Sequence, residues 1–107
     1  MNLAWISLVI AGLFEIGWPL GLKNAYTDQG MQWGWVLFAC VCMAISGSLL
    51  FYAQKTIPIG TAYAVWTGIG AVGTFAVGVA LFGDALNAMR MVSVLLIVVG
   101  VIGLKLA

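Results

Sequence analysis

Four apolar stretches, near residues 2–22, 32–53, 59–82 and 88–105, are separated by nothing longer than a short polar loop. Roughly 20 apolar residues rising about 1.5 Å each cross the ~30 Å hydrocarbon core of a bilayer, so each stretch has the length of a membrane-spanning helix. The interruptions 23–30, 54–58 and 83–87 collect Lys, Asn, Asp, Gln, Gly and Pro, the residues of turns. They leave no room for an extramembrane domain or for a nucleotide-binding unit. With 64% of 107 residues hydrophobic and 7% charged, the chain falls far outside the range of soluble domains. The expectation is an all-α integral membrane protein, residues 1–107 forming a single four-helix transmembrane domain. Met1 to Leu3 carries no basic side chain and no small-residue cleavage site follows, so the first stretch reads as a retained helix rather than a secretion signal. Trp5, Tyr26, Trp33, Trp35 and Tyr52 fall near the expected helix ends, where amphipathic rings favour the headgroup level.

Lys and Arg near span ends set orientation by staying in the cytoplasm. Four spans place Lys55 and Lys105 on one side and Lys23 and Arg90 on the other, a count of two against two. A chain without bias can insert both ways, and two opposite insertions can pair as an antiparallel, dual-topology homodimer. Four helices make a thin bundle, whereas a pair of chains supplies eight helices around an axis in the membrane plane. Inverted-repeat transporters reach the same arrangement within one chain.

Glu15 is the one acidic residue within these spans, in the middle of the first. A charged, unpaired carboxylate there costs several kcal/mol, so an intramembrane acid reads by default as a binding or proton site. Helical spacing puts Leu8, Gly12, Glu15, Trp18 and Leu22 on one face. Pro19 cannot donate to the carbonyl four residues earlier, which is that of Glu15 itself, so that oxygen needs another partner. In the third span Tyr63, Trp66 and Gly70 stack along one side, and the second span contributes Ser46, Gly47 and Ser48. Low dielectric disfavours the ionised carboxyl, so Glu15 is expected to hold a proton until a cation displaces it. A planar guanidinium suits such a place, because it can pair bidentately with a carboxylate and stack on indole.

Other patterns carry less. Gly68, Gly70 and Gly73 match G-x-G-x-x-G by letter, but inside a hydrophobic span and without a preceding strand the match does not indicate a dinucleotide site. These glycines read as positions of close packing or bending. Cys40 and Cys42, two residues apart in an apolar run, read as small core residues rather than a disulfide or metal pair. With no His, no P-loop and no metal-ligand cluster, neither an enzyme nor a cofactor or nucleic-acid partner is expected.

Gly12-Leu13-Phe14-Glu15 followed by Trp18 and Gly21-Leu22-Lys23, the run from Pro58 to Gly70, and the ending Gly103-Leu104-Lys105 resemble the small multidrug resistance family, specifically its guanidinium-exporter branch. The resemblance covers essentially the whole chain. It implies an antiparallel homodimer in a bacterial plasma membrane that exports guanidinium in exchange for protons. Carried over by residue, Glu15 would be the site shared by substrate and protons, Ser46 and Trp18 would hold it when unoccupied, and Tyr63 and Trp66 would line the pocket. Gly68 and Gly70 would form a kink in the third helix, and Lys105 would be an auxiliary. Pro19 stands where that branch usually has alanine, and Gly47 where it has a bulkier residue. Both are expected to loosen a portal beside the pocket and admit small substituted guanidinium cations.

Three other readings compete. A non-transporting subunit of a larger complex leaves Glu15 without a task. A channel needs a continuous polar lining that the sequence lacks. A broader exporter of quaternary-ammonium and aromatic cations is the runner-up.

Overall fold

A computed structural model describes residues 2–107 and contains four helices long and apolar enough to cross a membrane. They are α1 (Leu3–Ala25), α2 (Trp33–Ala53), α3 (Ile59–Phe82) and α4 (Ala88–Leu106). α3 has the expected bounds and α2 and α4 differ from expectation by one residue. α1 runs three residues further, because Ala25 is buried and the Asn24 side chain donates back to the Leu20 carbonyl at 3.2 Å. The first connection is also more regular than a loop. Two short strands, β1 (Tyr26–Thr27) and β2 (Gly30–Met31), pair antiparallel with Tyr26 opposite Met31. Gly30 turns this hairpin at φ +113°, a conformation natural to glycine, and its carbonyl accepts from Thr27 Oγ1 at 2.7 Å.

Local chemistry marks the helix ends. Asn2 Oδ1 accepts from the Trp5 amide and Asn87 Oδ1 from the Arg90 amide, both at 3.0 Å, caps worth about 1 kcal/mol each. Pro58, which cannot continue a preceding helix, stands just before α3. Gly83 closes α3 in the left-handed region, its amide donating to Gly78.

α1 is the central element, packed along α2 on one side and α3 on the other. Lipid tails supply no hydrophobic drive between helices, so close approach of small residues does much of the joining. At Gly21 an added Cβ would lie 3.0 Å from both the Ala39 Cβ and the Trp35 carbonyl oxygen, and at Gly12 it would lie 2.7 Å from Ile69. Ala4, Leu8, Ala53, Ile57, Ala62 and Val65 form a buried cluster at one end. α4 is attached differently: none of its residues is buried, and it meets α3 where Val101 lies over Gly68. Large apolar side chains such as Leu37 and Leu81 point outward, where acyl chains solvate them. Cys42 is buried as expected, but Cys40 is exposed, because two positions on a helix are 200° apart and only one of them can face α1.

The molecule measures 48 × 35 × 18 Å. Its thinnest dimension fits about two layers of helices 10–12 Å across, too few to enclose a polar passage within one chain. Asn2, Thr56, Thr61 and Lys105 gather at one end, and Lys23, Phe82 and Asp84 at the other.

Candidate functional site

Glu15 lies twelve residues after the start of α1, about 18 Å along the axis and so near mid-membrane. Its stem rests on α3 where Gly70 leaves a gap: a Cβ added there would stand 2.6 Å from Glu15 Cγ and 3.2 Å from its Cβ. Its carboxyl is part-buried and approaches α2, with Oε1 3.5 Å from Ser46 Oγ.

Ser46 is fully buried and joins all three helices. Its oxygen accepts from Trp66 Nε1 at 2.8 Å, and its proton reaches the Ala11 carbonyl at 2.7 Å. A hydroxyl has one proton to donate. With that proton on Ala11, the contact to Glu15 stays at the outer limit of a hydrogen bond, and the carboxylate keeps acceptor capacity for something else. Tyr63 stands beside Trp66, ring centroids 5.5 Å apart and planes tilted by 55°, and is 57% exposed. The structure thus brings Glu15, Ser46, Trp66 and Gly70 together, with Tyr63 at the edge.

Trp18 is part-buried one turn beyond Glu15, yet among the described residues no hydrogen bond joins the two. Gly68 and Gly70 serve close approach in an uninterrupted α3, Gly68 toward Val101 and Gly70 toward Glu15. Pro19 and Gly47 do not share one opening. Pro19 lines a cleft against Thr74 and Gly78 of α3, whereas Gly47 is exposed on α2, where an added Cβ meets nothing. Lys105 is remote from Glu15, its Nζ 4.8 Å from the centre of the Trp5 ring at the end of the molecule. Leu22, expected on the Glu15 face, is exposed.

The Ala11 carbonyl is the member that sequence reasoning missed. It sits four residues before Glu15, in a turn where the small Ala11 and Gly12 let α2 and α3 approach on either side; that adjacent small pair was the available signal. The charges follow a simple plan. Lys23 and Lys105 occupy last turns, Arg90 a first turn, and Lys55 a connection, so no basic side chain of the protomer lies at the depth of Glu15. A carboxylate so placed, with two oxygens and a neighbouring indole, can take a planar cation from outside the protomer.

The sequence model of the Small Multidrug Resistance protein family matches residues 3–97. A guanidinium exporter of Escherichia coli (strain K12) is 50% identical over 105 residues, covering 98% of each chain. One from Yersinia pseudotuberculosis is 51% identical over 105 residues, covering 98% of this chain and 99% of its own. One from Proteus vulgaris is 48% identical over the same length, with the same coverage.

Proposed function

The chain belongs to the small multidrug resistance family, and from that premise we propose that it is a proton-coupled exporter of guanidinium and small substituted guanidinium cations. The observation that carries this reading is the part-buried Glu15 carboxyl, seated on Gly70 beside a Ser46 already engaged by Ala11 and Trp66. The likeness to guanidinium exporters at about half identity over nearly the full chain supports the substrate. The protein works in a bacterial plasma membrane as an antiparallel homodimer, since a single chain 18 Å thick cannot surround a pathway. Exchange of conformation between the two subunits opens the site to each side in turn.

Protons and substrate share Glu15. A guanidinium donates to the two carboxylate oxygens and lies against the Trp66 face, a pairing that an ammonium matches less well. Protonation removes the charge that holds the cation, so each empties the site for the other. Two protons per cation are expected. A potential of about 100 mV draws each cation inward by ~2.3 kcal/mol, and a one-for-one swap gains nothing from it. Two subunits present two copies of Glu15.

Solid-supported-membrane electrophysiology on purified protein in liposomes tests this reading. Guanidinium is expected to evoke current in the wild type and none in Glu15→Gln. Wild-type protein that binds a bulky aromatic cation yet gives no guanidinium current would assign it to multidrug export instead.

A further inference from the structure

One face of the molecule carries three clefts in a row. The first, about 250 Å³, lies at the membrane-surface end and is lined by polar groups including Asn2, Thr56, Thr61 and Lys105. The second, about 210 Å³, shares Trp5 and Lys105 with the first and is otherwise apolar. The third, about 300 Å³, shares Ile69, Val101 and Ile102 with the second and is lined only by aliphatic side chains and glycines, ending at Ile16 and Gly73. Together they form a polar head and an apolar groove between α1, α3 and α4. Glycines set the floor of the groove by letting its walls close in: Val101 packs directly over Gly68 and Ile16 over Gly73, where added side chains would collide with them.

We propose that this face binds an anionic phospholipid of the surrounding bilayer, its phosphate on Lys105 and one acyl chain along the groove. The dimensions fit. From Trp5 to Ile16 the α1 axis runs about 16 Å, close to the ~15 Å depth of one leaflet. The charge fits as well. Among the described residues no acidic side chain lines any of the three clefts, and Lys105, with its Nζ over the Trp5 ring, is the charged side chain lining the polar one, which Ala107 also borders and near which Lys55 stands in sequence just before Thr56. Thr56, Thr61 and Asn2 add donors suited to phosphate and glycerol oxygens. A zwitterionic lipid fills the groove equally but brings its own cation to Lys105. Selection therefore rests on the headgroup, and a lysine near an anionic surface is worth about 1 kcal/mol, or about fivefold.

Native mass spectrometry of the full chain, released from nanodiscs of equimolar phosphatidylglycerol and phosphatidylcholine with identical chains, tests the site. Wild-type protein and Glu15→Gln are both expected to retain phosphatidylglycerol about fivefold over phosphatidylcholine, which separates this inference from the transport reading. Lys105→Gln should bring the ratio to parity, and Ile102→Trp, which fills the groove from its exposed side, should reduce retention of both lipids. Equal retention by the wild type, or an undiminished ratio in Lys105→Gln, would overturn the proposal. So would quantitative disulfide pairing of Ile102→Cys in a background without Cys40 and Cys42, which would give the groove to a second copy of the chain.

Discussion

Gly70→Ala replaces one hydrogen with a methyl group, yet the geometry predicts a large loss of guanidinium binding. The added Cβ would stand 2.6 Å from Glu15 Cγ and 3.2 Å from Glu15 Cβ. The second contact is relieved by a shift of a few tenths of an ångström. The first is not, so Cγ must swing toward another staggered well, roughly 120° away, and the carboxyl leaves its place beside Ser46. One charge-assisted hydrogen bond lost from the guanidinium pair is worth about 1.5–3 kcal/mol, a weakening of about tenfold to a hundredfold. Folding should barely change, because alanine is favoured over glycine within a helix by about 1 kcal/mol and offsets the repacking. The assay is isothermal titration of guanidinium in detergent micelles, with unfolding followed on the same samples. Gly34→Ala is the control, since an added Cβ there meets nothing within 4 Å. Wild-type affinity in Gly70→Ala, or an equal loss in Gly34→Ala, would refute the role of Gly70 as the seat of Glu15.

Ser46→Ala removes the acceptor of Trp66 Nε1 and the donor to Ala11, and should destabilise the protein by about 1–3 kcal/mol in chemical denaturation, with Trp66→Phe in the same background adding little further cost. If protons and guanidinium exchange at one site as proposed, guanidinium affinity should fall as pH falls; binding titrations across pH check the sign. Gly47→Phe places a ring on the exposed face of α2 without displacing anything in the protomer, and should reduce transport of alkylated guanidinium compounds while leaving guanidinium itself near wild type. Equal transport of both substrates in that variant, measured as currents, would remove Gly47 from the portal.

Much of this protein is decided by composition and length. A backbone in hydrocarbon must satisfy its own hydrogen bonds, so four apolar stretches of spanning length leave helices as the outcome, and Pro58, Gly83, Asn2 and Asn87 mark their limits by local chemistry. Glu15 announced itself by the cost of an acid at that depth, and the pairing of Tyr63 with Trp66 followed from helical spacing. Spacing along one helix does not say what faces it across an interface. That Gly70 receives the Glu15 stem, that Ser46 gives its proton to Ala11 while Trp66 donates to it, and that Pro19 and Gly47 lie on separate faces became legible only when α1 was set between α2 and α3. The reason is that helices in lipid meet through close approach of small residues and single hydrogen bonds, contacts that depend on the rotation of each helix and leave little trace in periodicity, because nearly every residue on every face is apolar.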